Sequence, residues 1–403
     1  MIRACLFGTY NASHPANRLL AEAFVAAGCD VSVCHEPLWE RTRDKMTSFF
    51  AAPSLLRLGL AYVGAARRLR SAWRRSPMPE LLITGFNGQL DALLGRRLGG
   101  VRTRHVFAPL VTLTETLVDD RGVYRRGGVA ARLAAALDRL TLASADLVLL
   151  DTDAHRAWVA EHLSAAAPTA TLYLGAEPMF APVPPRARAA GEPLRVLFYG
   201  QYVPLHGTTV IVDAAAALGP GAGIELTMIG TGPERARAEA LAGARGCTHL
   251  RFEDWVSYER LPDRLAACDV ALGVFGTSAK AALVIPTKVY QAAAVGRAIV
   301  TGDSPAVREI FIPGESVVTV RRGDAGALAS ALAALRDAPA LAPRLGSAAA
   351  RLVAETLGAD RRGARLAAIL ATAFPELATR LPVPATAERS LAATGGARAP
   401  AVS

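Results

Sequence analysis

The fold is decided by residues 194–207, which read LRVLFYGQYVPLHG. The apolar run that begins at Leu194 ends at Gly200, and a second glycine, Gly207, comes directly before a helix-period run over residues 208–218. An apolar run followed by a glycine turn and a helical segment is typical of a strand and helix in a parallel sheet. The stretch therefore predicts one βα unit of an α/β domain.

The same alternation of short apolar runs and longer helical segments is found in both halves of the chain. In the first half it predicts strands at Ile2 to Gly8, Asp30 to Glu36, Leu81 to Thr84, Arg104 to Pro109, Leu147 to Asp151 and Thr169 to Gly175. In the second half it predicts strands at Leu194 to Gly200, Ile224 to Gly230, Leu250 to Trp255, Val270 to Phe275, Ala298 to Gly302 and Ser316 to Val320. We therefore predict an α/β fold with two Rossmann-like, doubly wound domains.

A proline-rich stretch between the halves marks the domain boundary. Residues 178–186 read PMFAPVPPR, which favours an extended linker. We expect an N-terminal domain over residues 1–180, a linker over 181–193, a C-terminal domain over 194–375 and a disordered tail over 376–403. Open α/β sheets bind ligands at the carboxyl ends of their strands, so the two domains should face each other across a ligand-binding cleft.

The composition suits two buried cores and an anionic partner. The 403 residues are 52% hydrophobic and 20% charged, which excludes global disorder. The net charge of +10 comes almost entirely from arginine, because Lys45, Lys280 and Lys288 are the only lysines. This excess favours phosphate esters or an acidic membrane surface, although a coding bias toward arginine would have the same result. No stacking aromatic residues interleave the arginines, so we expect no nucleic-acid partner.

The cysteines and the N-terminus indicate a cytoplasmic protein. The five cysteines are scattered without a C-x-x-C pair, which fits a reducing compartment better than a zinc site or a disulfide framework. The chain enters a strand-like run at Ile2 without the features of a signal peptide. The sequence contains no run of about 18 uncharged apolar residues, so we expect no membrane-spanning helix.

A basic amphipathic helix is predicted over residues 54–75. Its apolar stripe consists of Leu55, Leu58, Tyr62, Ala66, Leu69 and Trp73, and the arginines Arg57, Arg67, Arg68, Arg70, Arg74 and Arg75 lie off that stripe. Two interpretations remain open. The stripe packs on the first sheet while the arginines are solvated, or the helix lies on the anionic inner face of a membrane.

Two glycine turns in the second half suit a diphosphate. Gly200 and Gly207 flank one turn between a strand and a helix, and Gly230 and Gly232 form another. Glycine lets backbone N–H groups approach a ligand, and the helix N-terminus behind each turn favours negative charge. The turn at Gly230 lacks the third glycine of a G-x-G-x-x-G fingerprint, so a dinucleotide cofactor has little support.

A third segment adds a cation to these turns. Residues 286–296 read PTKVYQAAAVG, which predicts a helix that begins near Thr287 and stops at Gly296. Lys288 lies in the first turn of this helix. It would aim a point charge at the anion that the helix N-terminus already attracts.

Taken together, these segments resemble the GT-B glycosyltransferases, in particular the retaining family 4. The similar segments are YGQ at 199–201 with HG at 206–207 for the phosphate loop, MIGTGPE at 228–234 for the G-x-G-P turn, FEDWV at 252–256 for the base-reading segment, and PTKVYQA at 286–292 for the P-x-K-x-x-E-A donor helix. The resemblance covers roughly residues 1–370 and is most specific in the second half.

The resemblance implies a nucleotide diphosphate sugar as donor. We expect no cofactor, and no metal ligand because helix N-termini together with a cation can replace a metal ion. The donor-binding residues that the resemblance implies are Gly200, Gln201, His206, Gly207, Gly230, Gly232, Trp255, Val256, Thr287, Lys288 and Glu309, and the catalytic candidates are His14, Lys288 and Gln291. The chain departs from the family at three of these positions. Gln201 and His206 replace an arginine and a lysine, and Gln291 is a neutral amide where the family has a carboxylate.

Polar residues of the first half suit an acceptor. His14 follows the first predicted strand, where the cleft should be. Thr112, Thr114, Asp119 and Arg121 follow the fourth predicted strand and could line the acceptor side. The alternative is that His14 lies in an ordinary surface loop and that the other four residues belong to a half-exposed helix or strand.

The function that these observations favour is metal-independent hexosyl transfer from a nucleotide diphosphate sugar to an acceptor hydroxyl or phosphate, with retention. The acceptor would be a glycan, a lipid-linked molecule or a small molecule, in glycan, polysaccharide or glycolipid synthesis. Two alternatives remain open: a nucleotide-sugar epimerase, and a non-catalytic binding subunit that keeps the GT-B fold.

Overall fold

The computed structural model describes residues 1–38, 52–164, 166–185, 188–189 and 191–382. These residues form two six-stranded parallel sheets, one in each half of the chain, with helices between successive strands. The predicted fold class, α/β with two doubly wound domains, is confirmed.

The N-terminal sheet has the strand order β2-β1-β3-β4-β5-β6. Its strands are β1 (Ile2–Gly8), β2 (Cys29–His35), β3 (Leu81–Thr84), β4 (Arg104–Phe107), β5 (Leu147–Leu150) and β6 (Thr169–Thr171). Its helices are α1 (Pro15–Ala26), α2 (Ala52–Arg75), α3 (Gln89–Gly99), a π-helix (Thr114–Asp120), α4 (Val129–Ala143) and α5 (Asp153–Leu163). The strand order changes direction between β1 and β3, so the loops that follow these strands open a crevice.

The C-terminal sheet has the strand order β12-β11-β10-β7-β8-β9. Its strands are β7 (Leu194–Tyr199), β8 (Ile224–Ile229), β9 (Leu250–Glu253), β10 (Val270–Leu272), β11 (Ala298–Gly302) and β12 (Val318–Val320). The helices that follow are α6 (Thr208–Leu218), α7 (Arg235–Ala244), α8 (Leu261–Ala266), α9 (Lys280–Leu283), α10 (Thr287–Val295), α11 (Pro305–Arg308), α12 (Ala325–Asp337), α13 (Leu341–Leu357) and α14 (Ala359–Ala373), with 3-10 turns at Pro204–His206, Tyr258–Arg260 and Pro375–Arg380.

Each of the twelve predicted strands is present, and most of the differences are at their carboxyl ends, whereas β2 begins one residue earlier and β12 two residues later than predicted. The strand predicted over residues 270–275 ends at Leu272. Beyond it, Val274 N donates to the side-chain Oγ1 of Thr301, and Phe275 N donates to the His206 carbonyl oxygen. One backbone donor that would extend the strand is thus bonded to a side chain of β11, and the next to the turn that follows β7.

The last helices cross back to the N-terminal domain, which differs from the predicted boundaries. Leu366 and Leu370 of α14 lie in one buried cluster with the N-terminal strands and α1, and Phe374, Leu377 and Leu381 extend that cluster. Apolar residues at this spacing bury one face of a helix and of the 3-10 turn that follows it. The C-terminal domain therefore does not run to residue 375, and residues 376–382 are packed, not a tail. The rest of the predicted tail, 383–403, lies outside the described residues.

The predicted basic helix is α2, and its apolar stripe faces the protein. Leu69 and Trp73 are buried against β1, β2 and β3, and Tyr62 Oη donates to Asp91 at 3.2 Å. Arg67, Arg70 and the other arginines described in this helix are exposed. Packing on the first sheet is thus shown for the C-terminal part of the helix, and Leu55 lies outside the residues whose side chains the structure describes.

Candidate active site

The C-terminal sheet changes direction between β7 and β10, and glycine turns line this edge. Gly200, directly after β7, has a φ of +145°. A β-carbon on Gly230, directly after β8, would lie 2.0 Å from the Gly200 carbonyl oxygen. A β-carbon on Gly232 would lie 2.5 Å from the Tyr202 backbone nitrogen. Only glycines therefore let the two turns pack this closely at the edge of the sheet.

The turn after Gly200 ends at the N-terminus of α6. Gly207, its N-cap, has a φ of +61°. A β-carbon there would lie 2.7 Å from the Gly276 nitrogen, which belongs to the loop after β10. No side chain caps the helix. Its first N–H groups are therefore available to an anion, and the helix dipole favours negative charge at this point.

Lys288 lies in the first turn of α10 and is directed into this edge of the sheet. The side chain is 6% exposed, and its Nζ has no hydrogen-bond partner among the residues that the structure describes. The Nζ lies 4.1 Å from the centroid of the Phe198 ring, and a β-carbon on Gly200 would approach it to 2.8 Å. The ammonium group thus lies over an aromatic face.

Burial holds the pKa of Lys288 well below its usual value. A buried cation without a partner is costly, because the protein interior solvates it poorly. An anion bound beside it would remove that cost and restore the pKa. The charge of Lys288 and the uncapped N-terminus of α6 are the two features of this edge that favour an anion.

His206 is buried beside Lys288 as a neutral ring. Its Nδ1 donates to the Gln201 carbonyl, and its ring packs edge-on against Phe198 at 5.6 Å between centroids. Burial lowers the pKa of His206 well below its usual value, and the neighbouring charge of Lys288 lowers it further. The side chain of Gln201 is exposed. His206 therefore cannot supply the positive charge that a lysine would have at this position, unless a bound anion raises its pKa.

Gln291 is held by two tyrosines. Its Oε1 accepts a hydrogen bond from Tyr199 Oη at 2.7 Å, and its Nε2 donates to Tyr258 Oη at 2.7 Å. Tyr258 in turn donates to Glu177, which forms an ion pair with Arg18 of α1 at 2.6 Å. The amide thus belongs to a chain of hydrogen bonds that joins the two domains, and both of its ends are engaged.

Glu309 joins the domains in the same way. Its two carboxylate oxygens accept the backbone N–H groups of Asp153 and Ala154 at 2.7 Å each, and Tyr173 Oη donates to it at 3.0 Å. Burial raises the pKa of Glu309, and these hydrogen bonds oppose the shift. The carboxylate therefore caps the N-terminus of α5. A role toward donor hydroxyls stays a prediction that would compete with this cap.

The remaining predicted residues of the donor side and His14 differ in their surroundings. Trp255 is 55% exposed, Val256 packs on a buried cluster, and Thr287 opens α10. His14 is the N-cap of α1, where its Nδ1 accepts the Ala16 N–H at 3.2 Å. This loop follows β1, at the switch point of the N-terminal sheet, as predicted from the sequence.

The four polar residues predicted on the acceptor side differ in what they contact. Thr112 Oγ1 accepts the Glu115 N–H at 3.2 Å, and Thr114 Oγ1 donates to Asp138 at 2.7 Å. Asp119 pairs with Arg126 at 2.8 Å. These three side chains hold the π-helix and its surroundings, which corrects the expectation that they line the acceptor side as free groups. Arg121 is the exception, since its Nε is buried without a hydrogen-bond partner among the described residues.

A buried ionic cluster between the domains was not foreseen from the sequence. His155 lies 2.7 Å from both Glu115 and Asp151, and Lys280 of α9 lies 3.4 Å from Glu115 and 2.7 Å from Thr116 Oγ1. Burial lowers the pKa of His155, but the two carboxylates outweigh it and raise the pKa to about 10. The rarity of lysine in this chain is the signal that could have pointed to Lys280.

Asp151 also begins a D-x-D sequence, which sequence reasoning overlooked. Asp153, its second member, accepts the Thr171 hydroxyl at 2.6 Å, so both carboxylates are engaged within the protein. Among the described residues no group of three or more His, Cys, Asp and Glu side chains is arranged to hold a metal ion.

Comparison with known proteins gives one family match, and it falls in the C-terminal half of the chain. Residues 193–337 match the model of the family Glycosyl transferases group 1. No curated protein matches the chain. The matched range contains the glycine turns, His206 and Lys288.

Solved structures match almost the whole chain at low sequence identity. Sucrose-phosphate synthase from Thermosynechococcus elongatus is 18% identical with a TM-score of 0.72, and the match covers 93% of this chain and 100% of that one. Anabaena HepE in complex with UDP-glucose is 13% identical with a TM-score of 0.65, over 92% and 100%. The E. coli trehalose-6-phosphate protein bound with UDP-2-fluoro glucose is also 13% identical with a TM-score of 0.65, over 91% and 98%. At these identities the likeness establishes the fold, which is GT-B.

Proposed function

We propose that this chain, which has the GT-B fold and a C-terminal domain that matches group 1 glycosyltransferases, transfers a hexosyl group from a nucleotide diphosphate sugar to an acceptor hydroxyl or phosphate. The observation that carries the proposal is Lys288, a buried ammonium group without a hydrogen-bond partner among the described residues, beside the glycine turn at Gly200. A diphosphate is the anion that suits a cation and uncapped helix N-termini together. UDP-sugars are bound by two of the structural relatives.

The chemical task of the site would be to stabilise the leaving diphosphate. Charge develops on the leaving group as the glycosidic bond breaks, and a preorganised positive site lowers that barrier most. Lys288 and the N-termini of α6 and α10 would supply this charge in place of a metal ion. The N-terminal domain would hold the acceptor near the loop of His14. We propose retention of configuration because the second-half motifs resemble a retaining family.

The acceptor and the place of action are a further part of this proposal. A glycan, a lipid-linked molecule or a small molecule would fit, in glycan, polysaccharide or glycolipid synthesis. The five cysteines are free and buried, which suits a reducing compartment such as the cytoplasm. None of the described helices is long and apolar enough to cross a membrane.

An anionic membrane surface is a further proposed contact. The solvent-facing side of α2 carries Leu60, 67% exposed, and Val63, 48% exposed, beside exposed Arg57 and Arg67. Apolar and arginine side chains together suit an interfacial helix. Flotation of the protein with phosphatidylglycerol vesicles tests this, and a Leu60→Ser/Arg57→Gln variant that floats as well as wild type would contradict it.

A donor and acceptor screen tests the proposed activity. The full chain is incubated with UDP-, ADP-, GDP- and dTDP-sugars and with sugar, sugar-phosphate and lipid-linked acceptors, and mass spectrometry detects transfer. Lys288→Met should lose transfer, whereas Arg125→Gln, on an exposed loop, should keep it. The anomeric configuration of the product, read by NMR, tests retention.

The same screen separates the alternatives. Interconversion of the donor sugar without any acceptor would identify an epimerase instead. Binding of nucleotide sugars without turnover across the panel would identify a non-catalytic subunit, which the neutral residues Gln201 and Gln291 favour. Absence of both binding and turnover would overturn the proposal.

A further inference from the structure

We propose that Arg121 of the N-terminal domain supplies a second cation to the diphosphate, across the cleft from Lys288. This inference rests on the proposed function, because it names a further binding residue of that site. It answers a question raised by the sequence: Gln201 and His206 stand where the resembled family has two cations, so part of the charge must come from elsewhere.

The placement of Arg121 is set by the π-helix over residues 114–120. The Arg121 N–H closes that helix by donating to the Thr116 carbonyl at 3.0 Å. The helix is itself docked on the C-terminal domain. Asp120 accepts the Ser278 hydroxyl at 2.7 Å, and Thr116 accepts a hydrogen bond from Lys280 at 2.7 Å. Arg121 is therefore fixed against the loop that follows β10, although it belongs to the other domain.

The loop that follows β10 is joined by backbone hydrogen bonds to the turn over residues 200–207. The Gly276 N–H donates to the Leu205 carbonyl at 3.1 Å, and the Phe275 N–H donates to the His206 carbonyl at 3.1 Å. A short run of contacts thus leads from Arg121 to His206. The positive charge of Arg121 also contributes, with that of Lys288, to the lowered pKa of His206. Arg121 and Lys288 consequently act on the same small region from opposite domains.

The guanidinium group of Arg121 is available to a ligand. Its Nε is buried and has no hydrogen-bond partner within the described ranges. The negative charge of Asp120 raises the pKa of Arg121, against the larger effect of burial, and that carboxylate already accepts the Ser278 hydroxyl. A partly buried guanidinium with unused donors is unfavourable alone, whereas a phosphate can accept two of its N–H groups at once.

The neighbouring arginines provide a contrast. Arg126 is 74% exposed at its side chain and pairs with Asp119 at 2.8 Å, and Arg125 is exposed. Neither is held against the C-terminal domain by the contacts that fix Arg121. Arg125→Gln is therefore a matched control: it removes the same charge from the same loop, four residues away.

The test measures binding of inorganic pyrophosphate to the full chain by isothermal titration calorimetry. Wild type should bind pyrophosphate. Arg121→Gln should raise the dissociation constant about 10- to 100-fold, which is the effect of losing a charge-assisted hydrogen bond. Arg121→Lys, which keeps the charge but not the two-pronged geometry, should fall between them. Arg125→Gln should match wild type within about twofold, since it loses only a screened surface charge. Circular dichroism melts confirm that each variant is folded.

The outcomes separate this inference from the proposed function. Equal pyrophosphate affinity of Arg121→Gln and Arg125→Gln, or no pyrophosphate binding by wild type, overturns the role of Arg121. Sugar transfer that persists undiminished in Arg121→Gln also overturns it while leaving the proposed function intact. Arg121-dependent pyrophosphate binding without any sugar transfer would support the role of Arg121 and remove the proposed function.

Discussion

Replacing Lys288 with methionine should stabilise the free protein and weaken donor binding at the same time. The Lys288 ammonium group is buried, contacts the Phe198 ring at 4.1 Å, and has no hydrogen-bond partner among the described residues. Methionine fills a similar volume without the charge. Exchange of buried charged groups for apolar groups of similar volume often stabilises proteins by about 1–4 kcal/mol.

Lys280→Met is a control for which we expect the opposite change in stability. Lys280 is equally buried, at 6% exposed, but it lies 3.4 Å from Glu115, which is fully buried. Lys280→Met would remove a positive charge that stabilises the buried carboxylate of Glu115. Breaking a buried ion pair lowers the free energy of unfolding by about 3–5 kcal/mol. The two variants remove the same group at the same degree of burial, so their difference isolates the effect of an existing partner.

The pH dependence has a definite sign. Burial holds the pKa of Lys288 below its usual value of 10.5, so between these two pKa values the unfolded chain binds more protons than the folded one. The stability of wild type therefore rises with pH over that range. The advantage of Lys288→Met should be largest at low pH and should shrink as the pH rises toward 10.5.

Donor binding should change in the opposite direction to stability. Loss of a hydrogen bond to a charged group costs about 1.5–3 kcal/mol. The dissociation constant for UDP or pyrophosphate should therefore rise about 10- to 150-fold. Urea unfolding at pH 7 and 9 and calorimetric titration measure the two effects. A Lys288→Met protein that is destabilised like Lys280→Met and binds pyrophosphate like wild type would refute the reasoning.

Three further outcomes follow from the same geometry. Gly200→Ala should weaken pyrophosphate binding at least about tenfold, because the new β-carbon would lie 2.8 Å from Lys288 Nζ at a φ of +145°; unchanged titration would contradict this. Pyrophosphate binding to wild type should be accompanied by proton uptake, because a bound anion raises the pKa of Lys288 that burial lowers. Calorimetric titrations in buffers of different ionisation enthalpy measure this uptake, and equal binding heats in all buffers would contradict it. Glu309→Gln should lower the free energy of unfolding by about 1–2 kcal/mol, because an amide can accept only one of the N–H groups of Asp153 and Ala154; an unchanged urea midpoint would count against it.

The fold could be predicted because its signal is local. Each strand is an apolar run closed by glycine or polar residues, and both halves repeat it in parallel βα order. What could not be predicted is the return of α14 to the N-terminal domain. Leu366 and Leu370 show only that the helix has an apolar face, not that its partner is a helix near the start of the chain.

The site was predictable in its types of residue and less so in their contacts. The rarity of lysine singled out Lys288, and the glycine turns could be located from strand ends alone. The partners of Glu309 lie between 136 and 156 residues earlier in the chain, and Gln291 is held by tyrosines from other elements. Arg121 was assigned to the acceptor side because the sequence does not reveal that the π-helix docks on the donor domain.

The central claim is that a nucleotide diphosphate sugar is cleaved at the Lys288 site. Release of nucleoside diphosphate from a panel of nucleotide sugars, compared between wild type and Lys288→Met at equal concentration, tests it most directly. We predict release from at least one donor by wild type and a loss of about tenfold or more in the variant. No release from any donor by wild type, or equal release by both proteins, would contradict the claim.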